Sequence, residues 1–60
     1  MSTREQDDDF LAGYEFFRKF MSKPTEEDVT RMGVRHPRDF AEGMRACENR
    51  DYSRYNRILP

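Results

Sequence analysis

Large apolar side chains recur along the chain at helical spacing, and the clearest run is the first. With Phe10 at the origin of a wheel of about 100° per residue, Phe10, Tyr14, Phe17 and Met21 fall within about 60° of one another, with Gly13 and Phe20 beside them. Glu15 and Lys19 lie opposite, and Leu11 and Phe16 sit on the two margins at about 100° and 240°. Strict alternation fails across Tyr14-Glu15-Phe16-Phe17, so the period is that of a helix and not of a strand. Ser2-x-x-Glu5 and Thr3-x-x-Gln6 both fit a capping box, but three carboxylates at Asp7–Asp9 would complement a helix dipole, and a start near them is preferred. The first helix is therefore expected over 8–22.

Ser22-Lys23-Pro24 ends that run. Thr25 is a good N-cap with Asp28 three residues on, Val29 and Met32 share a face, and Gly33 suits a left-handed stop. A short helix over 25–32 follows. Pro37 is the residue best tolerated at a first helical position. Phe40, Met44 and Cys47 then make a narrow stripe edged by Ala41 and Gly43, while Glu42, Arg45 and Glu48 face outward. This third helix is expected over 37–50. Asn49 is placed to end it, and Asp51 to cap one further turn. No internal repeat or low-complexity run stands out.

The predicted fold is all-α: a small helical hairpin of two main antiparallel helices with a short connecting helix, forming a single domain over 1–60 with frayed ends at 1–6 and 58–60. Its expected core is Phe10, Tyr14, Phe17, Phe20, Met21, Val29, Met32, Phe40, Met44 and Cys47. Glycine inside a helix costs about 0.5–1 kcal/mol relative to alanine. Two such costs, at Gly13 and Gly43 on apolar edges, predict a close helix crossing that offsets them.

Length tightens the picture. Sixty residues bury only about 60% of the unfolded surface, and such a core supplies roughly 3–5 kcal/mol unless something staples it. The single cysteine, Cys47, excludes an internal disulfide. One histidine and no CxxC pair argue against structural zinc. Partner binding or self-association is left as the source of extra stability. The N-terminus is acidic with no apolar stretch behind it, and no run approaches the length of a membrane span. The lone thiol fits a reducing compartment. The expected location is the cytoplasm, with no membrane partner.

Charge is nearly balanced, with 11 Lys plus Arg against 12 Asp plus Glu, but it is unevenly distributed. Four basic residues (Arg4, Arg18, Lys19, Lys23) face eight acidic ones in 1–28, whereas seven arginines (Arg31, Arg35, Arg38, Arg45, Arg50, Arg54, Arg57) face four acidic ones in 29–60. Arginine's planar fork suits carboxylates, phosphates and aromatic faces.

Catalysis needs a nucleophile, a base and an orienting group in a sheltered pocket. His36 and Cys47 are the only obvious pair, and along a straight third helix they stand about 16 Å apart. Cys47 lies on the apolar stripe, where a free thiol acts as a small hydrophobe. Asp7–Asp9 lack the alternate spacing and glycine of a calcium loop. There is no P-loop, GxGxxG or GxSxG, and His36-Pro37-Arg38-Asp39 lacks the spacing of a kinase catalytic loop. The expectation is a non-enzyme with no catalytic residues, no metal, no cofactor and no small-molecule substrate.

Two segments carry a resemblance. Phe10-Leu11-Ala12-Gly13-Tyr14-Glu15-Phe16-Phe17 is similar to the glycine–tyrosine helix of the ribosome modulation factor family, and Asp39-Phe40-Ala41-Glu42-Gly43-Met44-Arg45-Ala46 resembles that family's second helix. Small phage and prophage proteins share the same helix pair. About half the chain is covered. Met44 stands where the family has a tryptophan, the segment Lys23–Arg38 lacks its Cys-Pro-Tyr element, and the family is strongly basic. The resemblance thus implies the helix-pair architecture and transfers no functional residues.

These observations predict a small protein-binding accessory or inhibitor, of a kind phage genomes encode, docking an apolar, arginine-bearing helical surface on a host protein. Leu11, Phe16, Lys19, Phe20 and Arg45 are the candidate contact residues. The first helix carries more large apolar side chains than a short helix pair covers, so Leu11 or Phe16 is expected on the surface, serving a protein partner or a homodimer. An exposed aromatic beside Lys or Arg has hot-spot composition, where truncation costs about 2 kcal/mol or more. The alternative is an RNA- or ribosome-binding regulator using Arg50, Tyr52, Arg54, Tyr55 and Arg57, since interleaved arginines and aromatics hold single strands. Against it, nucleic-acid binders carry a basic domain. Such a tail can also fold back to cover the first helix at Phe16.

Overall fold

The computed structural model describes residues 3–58. It is all-α: α1 (Arg4–Phe20), α2 (Glu26–Arg31), α3 (Pro37–Asn49) and α4 (Ser53–Ile58) follow in order, and there is no strand among the described residues. The expected frayed positions 1–2 and 59–60 lie outside this range. Residues 4–6 and Ile58, expected to fray, instead form the first turn of α1 and the last residue of α4.

The helix ends follow local chemistry. α1 begins earlier than the three aspartates because the Thr3–Gln6 capping box closes. Gln6 N–H donates to Thr3 Oγ1 at 3.2 Å, and Thr3 N–H donates to Gln6 Oε1 at 2.8 Å. Two otherwise orphan donors are satisfied at once, which outweighs a dipole effect that acts wherever the carboxylates stand within the first turns. Met21 follows α1 in the left-handed region (φ 52°), so the helix ends at Phe20, two residues earlier than periodicity suggests. Thr25 caps α2 by accepting from Asp28 N–H at 3.2 Å, and Gly33 follows with φ 77°. Pro37 opens α3, and Asn49 is its last residue, with Arg50 at φ 56° behind it. Asp51 starts α4 by accepting from both the N–H (3.1 Å) and the hydroxyl (2.8 Å) of Ser53.

The core is where α1 crosses α3. Phe10, Gly13 and Tyr14 of one helix and Asp39, Phe40, Gly43 and Met44 of the other are buried, Phe40 completely. The glycines make the crossing possible. A Cβ on Gly13 would fall on the carbonyl oxygen of Phe40, and a Cβ on Gly43 would fall on that of Phe10. The two contacts are reciprocal, and they reveal an internal repeat that hydropathy hides: Asp9-Phe10-x-x-Gly13 and Asp39-Phe40-x-x-Gly43. Each unit places its phenylalanine backbone against the other unit's glycine.

The direction of the pair corrects the expected antiparallel sense. The starts of the helices lie together: Asp9 Oδ2 accepts from the backbone N–H of His36 (2.7 Å) and of Arg35 (3.2 Å), and Glu5 approaches the side chains of both. At the other ends Lys23, just beyond α1, pairs with Glu48 in the last turn of α3 at 3.5 Å. The helices thus run in the same general direction, and the connection through α2 carries the chain back to the starting end. Antiparallel packing follows from short connections, and residues 21–36 are long enough to escape that rule.

The expected core shrinks at its edges. Phe17, Val29 and Cys47 are half-buried, and Phe20, Met21 and Met32 are exposed at 55%, 78% and 46%. Phe20 is the last residue of α1, Met21 turns away in its left-handed cap, and Met32 caps α2, which itself buries no residue. The stripe continues in sequence after the packed helix surface has ended.

The crossing makes the glycines asymmetric in cost. Gly13→Ala or Gly43→Ala should destabilise the protein by about 2–3 kcal/mol, the upper part of the overpacking range, because the obstacle is backbone. Gly33→Ala, with open space around it, should cost about 1 kcal/mol for its left-handed φ alone. Urea denaturation followed by circular dichroism measures all three.

Candidate functional site

Two regions bear on function: the face where α4 folds back, and the face between α2 and α3.

On the first face Arg54 is the hub. Its Nη1 donates to Glu42 Oε2 at 2.6 Å, and its Nη2 to Asp39 Oδ1 at 2.9 Å and to Asp7 Oδ1 at 3.5 Å. The guanidinium carbon lies 4.5 Å from the centre of the Phe10 ring. Burial works against the charge on Arg54, but the hydrogen bond and charge of Asp39, then Glu42 and Asp7, outweigh it and hold the group above its ordinary value. A fork spanning three carboxylates is a task for arginine and not for lysine. It also neutralises Asp39, which is buried in the first turn of α3. Beside it Tyr55 stacks on Tyr14 with centroids 4.3 Å apart, and Tyr52 meets Tyr14 edge-on at 6.4 Å. Burial, followed by Tyr52, Cys47 and Tyr55, pushes the Tyr14 phenol up, and Arg18 offsets this in part.

The residues assigned to the nucleic-acid alternative are therefore divided. Arg54 and Tyr55 are engaged inside the domain. Tyr52, although edge-on to Tyr14, is exposed, as are Arg50, at the end of α3, and Arg57, in α4. The tail folds back as one reading anticipated, but onto Tyr14 and Phe10 and not onto Phe16.

On the other face Phe16 is half-buried, its ring centre 6.0 Å from that of Phe40 and 4.7 Å from that of Phe20. Leu11 is half-buried as well, so the expectation that one of the two stands free on the surface is corrected. Phe40 reaches out through Phe16, and the exposed end of this file of rings is Phe20, with the Lys19 ammonium 5.5 Å from its centre. Arg45 is exposed on α3. Lys19, Phe20 and Arg45 thus remain available for contact, and Met21 and Met32 join them. The signal that could have marked these two was their place at helix ends.

Between α2 and α3 runs a groove of about 450 Å³, lined by Pro24, Glu26, Val29, Thr30, Val34, Pro37, Phe40, Ala41 and Met44. The groove stays open because α2 is only six residues long and buries none of them, its Val29 being half-buried. His36 and Cys47 lie at opposite ends of α3. No group of three or more His, Cys, Asp and Glu side chains is gathered for a metal among the described residues. No helix among them is long and apolar enough to cross a membrane.

Arg54→Lys and Arg54→Ala should both loosen α4, each costing about 1–3 kcal/mol as Asp39 loses its buried partner, and Tyr14–Tyr55 stacking should be lost with it. Thermal unfolding and near-ultraviolet circular dichroism of the tyrosines measure this. The raised Tyr14 phenol sets an alkaline limit: its folded value exceeds its unfolded value, so its contribution is complete below pH 10 and is lost as pH rises through the folded value. Tyr14→Phe, which cannot ionise, should flatten stability against pH above 10.

No protein-family model, curated protein or solved structure matches the chain significantly.

Proposed function

We propose that this protein is a non-enzymatic binding module that works by docking a helical surface on another protein, as an accessory or inhibitor. The observation that carries this reading is the distribution of its apolar side chains. A domain of this size has few large hydrophobic residues to spare, yet Phe20, Met21 and Met32 stand in solvent and an apolar groove lies open between α2 and α3. Methionine and phenylalanine at a surface, with the Lys19 ammonium over the Phe20 ring, have the composition of an interface core. Methionine also adapts its shape to a partner. The nucleic-acid reading loses its main support because Arg54 and Tyr55 are spent on internal contacts, where Arg54 answers three carboxylates of the chain itself.

Phe20→Asp with Met21→Asp should keep the helical circular dichroism and lower the melting temperature only modestly, since the loss is confined to the Phe16–Phe20 ring contact and to carboxylates at the carboxy end of α1. The pair should abolish crosslinking to partner proteins in a lysate of the source organism. Nuclease treatment should leave crosslinking by the wild type intact. Loss of the crosslinked species on nuclease treatment would overturn the proposal.

A further inference from the structure

We infer that the groove between α2 and α3 receives an amphipathic helix of a partner protein, one that carries carboxylates two turns apart along the flank facing α3. This rests on the protein-binding reading and specifies its ligand.

The two rims of the groove differ in charge. Arg38 and Arg45 follow one another along α3, on either side of Ala41, which lines the groove; beside it the two arginines share a shallow depression with Ala41 and Glu42, whose carboxylate is held by Arg54. Both are exposed, and neither makes an ion pair or a side-chain hydrogen bond among the described residues. Arg18, Arg31, Arg35 and Arg54 have acidic partners, and the other arginines without an ion pair among the described residues, Arg4, Arg50 and Arg57, line neither the groove nor this depression. At about 100° per residue, Arg38 and Arg45 project within about 20° of each other, just outside the face that Pro37, Ala41 and Met44 turn to the groove. Seven residues separate them, or about 10.5 Å along the axis. Acidic residues at i and i+7 of a helix lying alongside α3 match that spacing. Across the groove stands Glu26 of α2, whose carboxylate has no ion pair among the described residues. The occupant is thus acidic on the α3 side and basic on the α2 side, which fixes its orientation as well as its class.

The floor sets the rest. Pro24, Val29, Val34, Pro37 and Ala41 offer an apolar trough of about 450 Å³ over the buried Phe40 and Met44. An amphipathic helix presents apolar side chains at i, i+3 or i+4, and i+7. A concave trough with one rim of each sign suits a helix better than a lipid surface, which would favour a convex, uniformly basic face.

A synthetic amphipathic helix tests this, with leucines on its apolar face, glutamates at i and i+7 on one flank and a lysine on the other. A control peptide has the two flanks exchanged. Each is titrated into the full chain and followed by amide chemical shifts. The expected result is shifts centred on Val29, Val34, Ala41 and Met44, with the matched peptide bound at least tenfold more tightly than the exchanged one. Arg38→Glu with Arg45→Glu, checked for folding by circular dichroism, should reverse that preference. Equal binding of the two peptides, no binding, or shifts centred elsewhere overturn the inference. So does a shift of the same residues by phosphatidylglycerol vesicles, or by self-association as the chain is concentrated alone. If the groove takes no helix while Phe20→Asp with Met21→Asp still abolishes partner crosslinking, this inference fails and the protein-binding reading stands.

Discussion

The contact on which everything else rests is the backbone-to-backbone approach of α1 and α3 at Gly13 and Gly43. Most helix pairs are held 8–10 Å apart by their side chains. Here each glycine gives up its side chain so that the opposing phenylalanine carbonyl can enter its place. The approach lets Phe10 and Phe40 bury almost completely in a chain of sixty residues. Each buried ring is worth about 1.5–3 kcal/mol, enough to offset the helical cost of the glycine beside it. With the crossing fixed, Asp9 reaches the backbone leading into α3, Asp39 is drawn into the interior, and Arg54 becomes the group that makes Asp39 tolerable there.

The two Asp-Phe-x-x-Gly units have similar cores but different surroundings. Asp9 accepts backbone donors from the segment ahead of α3, whose N-cap residue, His36, supplies no side-chain cap of its own. Asp39 accepts the guanidinium of α4. One unit thus ties in the connection and the other ties in the C-terminal helix. Between them they bring both peripheral elements to the single crossing, and α2, which buries nothing itself, is left as the loosest wall.

Much of this was legible in the residues. The three helical runs, the proline and glycine punctuation, and the Asp51 cap follow from local chemistry, and the cost of two helical glycines pointed to close approach. Phe10, Tyr14, Phe40 and Met44 fell at the centre of their stripes and are buried. What escaped has physical causes. A stripe says which face is apolar but not how far along the helix a partner extends, so Phe20, Met21 and Met32 were placed inside. Periodicity carries no information about whether two helices run together or opposed. The repeat was masked because its defining residues, aspartate and glycine, do not register as hydrophobic pattern. The roles of Leu11 and Phe16 depended on contacts across the fold, as did that of Arg54, whose partners Asp7, Asp39 and Glu42 are scattered along the chain.

The shared direction of α1 and α3 has an electrostatic consequence. Antiparallel neighbours cancel their macrodipoles, whereas parallel ones add them, with both amino-terminal ends positive on the same side of the molecule. The chain answers most fully where the helices begin, with Glu5, Asp7, Asp8, Asp9 and Asp39. At the other end Arg18 and Lys19 stand in the last turn of α1, whereas the last turn of α3 carries Glu48 and no basic residue. Except for Glu48, these side chains oppose the peptide dipoles locally. Because they carry whole charges, they also set the sign of the field that reaches solvent. A molecule of formal net charge −1 therefore has an acidic pole and a weaker, mixed one opposite it, and in dilute salt it experiences a torque near any charged surface. At physiological ionic strength that torque fades beyond a Debye length of about 8 Å, so the poles orient the protein only in the final approach to contact.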